Sequence, residues 1–246
     1  DSLTISPKAI GVTADAKSKI YGDEDPALTY TITSGALESG DSFSGSLSRN
    51  SGETTGTYTI TQGTLTAGSN YTLSYTSADL TITGKALTVT ADPAVKTYGE
   101  SDPTFTYQIT SGALESGDSF SGTLSRTSGE TAGTYSITQG TLSAGSNYTL
   151  SFISDSLSIT ERPITVTADP KSKTYGETDP TFTYQITSGT IVNSDTFSGN
   201  LSRDAGEDVG TYSITSTLLN ANYAITYVSD SLTISTKAVT VTADTK

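Results

Sequence analysis

The sequence predicts an all-β fold, organised as a tandem array of three small β domains. Two observations predict the strands. Apolar and hydroxyl side chains alternate along most segments, which is typical of strands with one face on a core and the other in water. No window shows a helical period longer than about one turn. A third observation, the return of the same pattern every 77 residues, divides the chain into repeats.

The repeat is marked by a tyrosine–glycine pair that precedes an acidic cluster and a proline. It occurs as YGDEDP, YGESDP and YGETDP, beginning at Tyr21, Tyr98 and Tyr175. Residues 9–85 and 86–162 are identical at 54 of 77 positions. We therefore predict repeat 1 at 9–85, repeat 2 at 86–162 and a slightly shorter repeat 3 at 163–237. Residues 1–8 match the closing strand of a preceding repeat and residues 238–246 the first strand of a following one, so we expect a segment of a longer array.

Each repeat is predicted to contain six or seven short strands. In repeat 2, for example, Phe105, Tyr107 and Ile109 alternate with hydroxyl and amide residues. Breaks rich in Gly, Ser and Asn separate the strands and supply turns. The element Gly-Thr-Tyr that ends at Tyr135 resembles the tyrosine corner of immunoglobulin-like sandwiches, in which a phenol anchors backbone across a turn. An Ig-like sandwich is therefore one interpretation of the unit.

The junctions between repeats carry no flexible Gly/Ser-rich linker. Apolar residues occupy even positions before the first junction, at Leu80 and Ile82, and odd positions after it, at Leu87 and Val89. A slip of one residue turns side chains to the opposite face of a strand, so one continuous strand can serve two successive cores. This predicts short, stiff junctions. It also suggests that neighbouring repeats exchange a terminal strand, a tandem form of domain swapping.

Composition excludes several classes of function. The chain has 13 basic and 26 acidic residues, a net charge of −13, and no His or Cys. Without them it has no Ser-His-Asp or Cys-His nucleophile and no ordinary zinc, haem or iron–sulfur site. We expect no nucleic-acid partner, because a surface this acidic repels phosphate backbones and anionic lipids. No apolar run approaches the roughly 18 residues of a membrane span, so we expect no membrane insertion of this segment.

The acidic turns are the candidate metal site. Alternate carboxylates near a junction suit Ca²⁺, which takes six to eight oxygen ligands. The candidate ligands are Asp23, Glu24, Asp25, Glu100, Asp102, Glu177 and Asp179, with Asp15, Asp92 and Asp169 as additions. The alternative is a solvated turn closed by proline, and no EF-hand spacing is present. The prediction is no cofactor, metal or catalytic residue, with calcium as the alternative.

Paired acids also occur in glycosidases, but here they recur in every repeat without a pocket-forming insertion, so we predict no enzyme.

Two further sets of residues recur with the repeat. The first set suggests Lys–Asn isopeptide crosslinks. It comprises Lys19, Lys96 and Lys173 with Asn70, Asn147 and Asn222. The simpler interpretation is that each lysine lies on a strand and each asparagine in a turn. The other set is expected to pair with a local acid at the surface, where such pairs contribute little: Arg49, Arg126 and Arg203.

The repeats resemble the MBG domain of the YGX type, which is found in tandem in large bacterial surface and secreted proteins. The resemblance rests on K-x-Y-G-x-x-D-P at Lys96–Pro103, on G-T-Y-x-I and on the closing L-T-I, and it covers all three repeats. It implies a β-grasp-like unit and a role in cell-surface or adhesin-like proteins. The family carries no catalytic motif to transfer.

The expected function is a structural stalk of a bacterial surface or secreted adhesin-like protein, located outside the cell. Tandem arrays gain reach by copying one unit, and three units of this size would span about 100 Å. The expected partners are neighbouring repeats of the same chain. The alternative is an adhesive module, in which strand edges or loops such as Asn147–Tyr148 contact glycans, mucin or a host protein.

Overall fold

The computed structural model describes residues 1–244, which form twenty-one strands and no helix. The all-β prediction is confirmed, with seven strands in each repeat. No helix in the described part is long and apolar enough to cross a membrane. The strands of repeat 1 are β1 (Lys8–Ala14), β2 (Lys17–Ile20), β3 (Tyr30–Ser34), β4 (Ser48–Arg49), β5 (Gly56–Thr61), β6 (Tyr71–Thr76) and β7 (Ala78–Thr83).

The other two repeats follow the same order of strands. Repeat 2 contains β8 (Lys85–Ala91), β9 (Ala94–Thr97), β10 (Tyr107–Ser111), β11 (Ser125–Arg126), β12 (Gly133–Thr138), β13 (Tyr148–Ile153) and β14 (Ser156–Thr160). Repeat 3 contains β15 (Arg162–Ala168), β16 (Lys171–Thr174), β17 (Tyr184–Ser188), β18 (Leu201–Arg203), β19 (Gly210–Ser216), β20 (Tyr223–Val228) and β21 (Ser231–Ser235). The first strand of each repeat begins one residue before the boundary that the sequence predicted for that repeat, at Lys8, Lys85 and Arg162.

Every repeat builds two sheets. In repeat 1 the orders are β3-β1-β6 and β2-β7-β5-β4, and the equivalent strands give the same two orders in repeats 2 and 3. The pairs β1/β6 and β2/β7 are parallel, whereas β1/β3, β5/β7 and β4/β5 are antiparallel. The two parallel pairs distinguish this topology from the antiparallel sheets of an immunoglobulin sandwich.

The core of repeat 1 takes its side chains from both sheets. Val12 on β1, Ile60 on β5 and Leu80 on β7 belong to one buried cluster, and Tyr30 packs against it. Tyr30 also meets Phe43 edge-on, with ring centroids 5.3 Å apart. The inward residues alternate with hydroxyl residues as predicted, so each strand places one apolar face on the core and one hydrated face outward.

The structure contains two compact units whose boundaries differ from those of the repeats. One unit comprises residues 1–91, 106–125 and 139–154, and the other comprises 92–105, 126–138 and residues from 155 onward. The three-stranded sheet of repeat 2 therefore belongs to the same unit as repeat 1. Its four-stranded sheet belongs with repeat 3. As a result, each junction between successive repeats lies inside one compact unit.

One residue separates the sheets at each junction. Strand β7 ends at Thr83 and β8 begins at Lys85, so only Gly84 lies between them. Leu80 and Leu87 are both buried, which confirms that the slip in phase serves two cores. The structure does not support strand exchange: within residues 1–244, every sheet is formed by strands of one repeat. On either side of the single junction residue, β7 pairs with β2 and β5 of repeat 1, and β8 pairs with β10 and β13 of repeat 2.

The terminal segments lie outside the sheets. Residues 1–7 and 236–244 form no strand, and the side chains of Leu3, Ile5, Val239 and Val241 are exposed. No neighbouring strand pairs with them here, and a strand needs a partner for its backbone groups. The predicted strand at 238–246 extends into residues 245 and 246, which lie outside the described residues. The assignment of both segments to neighbouring repeats stays a prediction.

Candidate functional site

The first cluster of charged residues joins β2, β4 and the loops that carry Asp25 and Glu53. Lys19 Nζ lies 2.7 Å from Asp25 Oδ1 and 2.5 Å from Glu53 Oε2, and it donates to the Asp23 carbonyl over 3.0 Å. The Lys19 side chain is only 4% exposed. This position follows from the alternation of side chains along β2, in which Ser18 and Ile20 are exposed and Lys19 between them is buried.

Arg49 completes this cluster from the short strand β4. Its guanidinium donates to Oδ2 of Asp25 from Nε over 2.6 Å and to Oδ1 from Nη2 over 2.9 Å. It also donates to Glu53 and to the carbonyls of Asn50 and Gly52. We call Lys19, Asp25, Arg49 and Glu53 the ion-pair network. The equivalent sets are Lys96, Asp102, Arg126 and Glu130, and Lys173, Asp179, Arg203 and Glu207.

The expectation that Arg49 pairs with a local acid is confirmed, but the arginine itself does not lie at the surface. Its side chain is 9% exposed, its guanidinium lies 5.3 Å from the centroid of the Tyr58 ring, and its pairing with Asp25 is bidentate. Bidentate pairs of this kind are shorter and stronger than single hydrogen bonds. The Tyr58 hydroxyl in turn donates to the Thr54 carbonyl over 2.8 Å, so the predicted resemblance to a tyrosine corner is confirmed in its geometry.

The network also fixes the charges of its members. Hydrogen bonds from Arg49 and then Lys19 lower the pKa of Asp25 to about 2, because they stabilise the ionised carboxylate. Burial lowers the pKa of Lys19, but hydrogen bonds to Asp25 and Glu53 outweigh that effect and raise it overall. An amine held protonated beside an ionised carboxylate is a poor nucleophile, so this arrangement supports an electrostatic clamp rather than an amide crosslink.

The second cluster joins one repeat to the next. Tyr21, the tyrosine of the first YG turn, donates from its hydroxyl to Asp118 Oδ2 over 3.0 Å. Its ring meets Tyr148 edge-on, with centroids 5.5 Å apart. Tyr148 donates to the same carboxylate oxygen and accepts from the Glu115 backbone N–H over 2.7 Å. Asp118 and Tyr148 belong to repeat 2, so Tyr21 spans the junction. We call Asp118 and Tyr148 the tyrosine seat.

The junction between repeats 2 and 3 has the same arrangement. The Tyr98 hydroxyl donates to Asp195 Oδ2 over 2.8 Å, and its ring meets Tyr223 edge-on at 5.6 Å between centroids. Tyr98 is 5% exposed, whereas Tyr175, the equivalent residue of repeat 3, is 47% exposed. The YG tyrosine is therefore half-buried at the first junction and buried at the second, where in each case it contacts the following repeat.

The family model for the MBG domain (YGX type) matches residues 10–81, 87–158 and 164–233. The chain belongs to this family. The resemblance stated from the YG motif is confirmed, and the matched tyrosine is the residue that connects successive MBG repeats here. A comparison with curated proteins finds no match.

The glycine of the YG motif also lies against the following repeat at both junctions. A Cβ atom on Gly22 would lie 2.3 Å from Glu115 Oε1, and one on Gly99 would lie 2.5 Å from Val192 Cγ2. At Gly176 the same atom would meet nothing within 4 Å. All three glycines have φ between +84° and +88°, so each also favours the left-handed backbone region that glycine adopts freely.

The predicted asparagines lie at the junctions rather than beside the lysines. Asn147 Oδ1 accepts from the Thr55 backbone N–H over 3.0 Å, and Asn222 Oδ1 accepts from the Ala132 N–H over 2.9 Å. Lys173 instead contacts Asp179 and Glu207. The structure therefore does not support the Lys–Asn crosslink, and it gives the asparagine a role between repeats.

The candidate calcium ligands are distributed over several roles. Asp25 belongs to the ion-pair network, and Glu177 Oε2 accepts from the Thr174 backbone N–H over 2.9 Å. Asp15 accepts hydrogen bonds from Thr29 and Thr31. Among the described residues, no group of three or more carboxylates is arranged to hold a metal ion. That the chain needs no metal stays a prediction, with calcium as the alternative, and its test is given below.

Sequence reasoning missed the tyrosine seat. The signal was present, since Asp41, Asp118 and Asp195 recur at the repeat spacing, as do Tyr21, Tyr98 and Tyr175. Their pairing was not visible, because Tyr21 and Asp118 lie 97 residues apart and come from different repeats. Only the three-dimensional arrangement shows that a tyrosine in one repeat uses the aspartate of the next.

Proposed function

We propose that this chain is a stiff spacer segment, a stalk, of a large bacterial cell-surface or secreted adhesin-like protein. The observation that carries the proposal is the construction of the junctions. One residue separates the sheets of successive MBG repeats, and a tyrosine crosses each junction to an aspartate of the following repeat. A spacer needs such a connection, because a flexible linker would let neighbouring repeats rotate freely.

The contacts at each junction resist rotation. A T-shaped aromatic pair contributes about 0.5–1.5 kcal/mol beyond its buried area, and a hydrogen bond to a charged group about 1.5–3 kcal/mol. The Asn147–Thr55 hydrogen bond adds a second anchor on another part of the same junction. Because two separated anchors hold one short connection, bending would require the loss of at least one of them.

The adhesive alternative loses its specific support. The predicted binding loop Asn147–Tyr148 is engaged at the junction, where the Tyr148 ring meets Tyr21 edge-on and Asn147 Oδ1 accepts from the Thr55 backbone N–H. A ligand would have to displace Tyr21 to reach that ring. No pocket-forming insertion distinguishes one MBG repeat from the others, which also favours spacing over recognition.

Small-angle scattering and NMR relaxation test the proposal. We expect the chain to have a single long rotational correlation time and an elongated scattering profile. The double variant Tyr21→Ala, Tyr98→Ala should shorten the rotational correlation time. It should also reduce the average largest dimension from scattering, because the repeats can then bend relative to one another. Tyr175→Ala is the matched control, because this tyrosine is exposed, and it should change neither quantity.

Two results would contradict the spacer. In the first, the repeats of the unmodified chain tumble independently. In the second, the chain binds saturably to glycan- or mucin-coated surfaces, which would support the adhesive alternative.

A further inference from the structure

We propose that the tyrosine pairs at the two junctions are sites of oxidative crosslinking, at which Tyr21 and Tyr148, and likewise Tyr98 and Tyr223, become joined as dityrosine. The oxidant is an external peroxide, activated to remove one electron at a time. The product would hold successive repeats together by a carbon–carbon bond. This inference does not rest on the spacer function, because it follows from the chemistry of the pairs themselves.

Tyrosine is the readily oxidised side chain that this chain contains. The sequence has 14 tyrosines and no Cys, Met, Trp or His. Cysteine and methionine are the side chains that peroxides ordinarily oxidise first, and tryptophan gives up an electron about as readily as tyrosine does. Because these competitors are absent, we expect the loss of one electron from this chain to fall on a tyrosine.

The junctions are the places where two tyrosine rings meet. Within residues 1–244, the contacts between two tyrosine rings are those of Tyr21 with Tyr148, at 5.5 Å between centroids, and of Tyr98 with Tyr223, at 5.6 Å. Every other ring contact joins a tyrosine to a phenylalanine, which forms no phenoxyl radical. Coupling within one chain needs two tyrosyl radicals side by side, so these contacts direct it to the junctions.

One carboxylate oxygen organises each pair. At the first junction, the hydroxyls of Tyr21 and Tyr148 both donate to Asp118 Oδ2. Asp195 receives the equivalent two phenols at the second junction. The shared acceptor holds the two phenol oxygens close together, and with them the adjacent ring carbons, which carry much of the unpaired electron of a tyrosyl radical. Reacting atoms that are held in place in this way combine far faster than free ones.

The carboxylate also assists the loss of the electron. A phenol that loses an electron becomes a strong acid and releases its proton, so a base within hydrogen-bond distance promotes the step. Asp118 is placed to accept that proton from Tyr21. The hydrogen bond to Asp118, together with burial, raises the pKa of Tyr21, so at neutral pH the phenol keeps the proton that it donates.

The reaction balances over two one-electron steps. Each tyrosine gives up one electron and its phenol proton, and the two radicals form a bond between the ring carbons next to the oxygens. The hydrogen on each of those carbons then moves to the phenol oxygen, which restores both aromatic rings. The pair has lost two hydrogen atoms in total. The two protons pass to water through the carboxylate, and the peroxide takes up the two electrons as its O–O bond breaks.

The two pairs differ in their access to a dissolved oxidant. Tyr21 is half-buried and lines an open cleft with Gly22 and Glu115. Tyr98 and Tyr223 are only 5% and 4% exposed. We therefore expect the first junction to crosslink faster than the second.

Photo-oxidation of the full chain tests the proposal. A ruthenium polypyridyl complex, excited by visible light, serves as the one-electron oxidant, and persulfate is the peroxide that becomes sulfate. We expect dityrosine fluorescence and a monomer that is lighter by two hydrogen atoms per pair, with a yield per chain that is independent of protein concentration. Trypsin should release peptide 20–49 linked to 127–171 for the first junction, and 97–126 linked to 204–237 for the second.

Phenylalanine variants locate the bond, because they remove the phenol and keep the ring. Tyr21→Phe should abolish the first linked pair of peptides and spare the second, and Tyr98→Phe should do the reverse, with circular dichroism confirming that each variant is folded. Tyr58→Phe is the matched control and should spare both, because the Tyr58 ring contacts Arg49 and no other tyrosine. Absence of dityrosine from the folded monomer, a yield that rises with protein concentration, or linked peptides that survive their own phenylalanine variant would overturn the proposal.

Discussion

Tyr98 in repeat 2 donates a hydrogen bond from its phenol to Oδ2 of Asp195 in repeat 3, over 2.8 Å. The same carboxylate oxygen accepts from Tyr223, so one aspartate receives a phenol from each side of the junction. Asn193 Nδ2 also donates to the Tyr98 hydroxyl over 3.2 Å. Cohesion between successive repeats therefore depends on a few polar contacts around a small aromatic pair.

Removing the phenol oxygen should weaken this junction without disturbing the repeat itself. We expect Tyr98→Phe to lower the free energy of unfolding by about 1–2 kcal/mol, because Asp195 and Asn193 each lose a partner while the ring contact remains. Urea unfolding measures the change. Tyr175→Phe is the control, and its stability should match that of the unmodified chain. Equal losses in both variants would place the effect inside the repeat rather than at the junction.

The YG glycines allow a second test of the junction. Gly99→Ala and Gly176→Ala carry nearly the same backbone cost, since φ is +84° and +85°. Only the first places a methyl group 2.5 Å from Val192. Overpacking of this kind costs about 1–3 kcal/mol, so Gly99→Ala should be less stable than Gly176→Ala by that amount. Thermal unfolding of the two variants measures the difference, and identical midpoints would refute the contact.

The ion-pair network should be sensitive to loss of its arginine. Arg49→Leu leaves Lys19 with two carboxylates, one of which loses a bidentate partner, and it frees the carbonyls of Asn50 and Gly52. Removing one member of a largely buried pair costs about 3–5 kcal/mol, and partial exposure of the acids reduces the expected loss to about 2–3 kcal/mol. Chemical denaturation measures it. Lys17→Leu is the control, with an expected change within about 0.5 kcal/mol.

Acid should destabilise the repeats through the same network. The folded-state pKa of Asp25 and of Asp179 is about 2, below the ordinary value of 3.8. A depressed pKa contributes stability that is complete above the unfolded-state value and is lost as pH falls toward the folded one. We therefore expect the melting temperature to fall between about pH 4 and pH 2. The triple variant Asp25→Asn, Asp102→Asn, Asp179→Asn should show a flatter profile over that range. A profile as steep as that of the unmodified chain would assign the acid sensitivity to other carboxylates.

The sequence was sufficient to predict most of the fold. Strand number, inward residues and the change of phase at Gly84 all follow from period-two alternation, which is a local property of the chain. The partners of each strand were not predictable in this way. Leu80 and Leu87 signal two cores, but nothing local shows that β7 keeps its own repeat as partner and that no strand is exchanged.

The two sites show the same limit. Asp25, Lys19 and Arg49 were each identified, but as separate candidates for calcium binding, crosslinking and surface pairing. They form one network because β2, β4 and the loops that carry Asp25 and Glu53 meet in the fold, which the sequence separations of 4 to 34 residues do not reveal. Tyr21 and Asp118 are farther apart still. Residue type predicted which groups are chemically active, and topology decided which of them meet.

Chelation provides the remaining test, because calcium was the one ligand that the acidic turns suggested. The last acid of each turn is committed to cations: Asp25 pairs with Lys19 and Arg49, and Asp102 and Asp179 pair with the equivalent lysine and arginine. A divalent ion would have to compete with two positive charges already within hydrogen-bond distance of that carboxylate. We therefore expect the melting temperature to be the same with excess calcium and with EDTA, as measured by differential scanning calorimetry at constant ionic strength. Magnesium at the same concentration is the control for general screening of the acidic surface. A rise specific to calcium, abolished by Glu24→Gln, Asp23→Asn in repeat 1, would show that the turn binds the ion through the acids that the network leaves free.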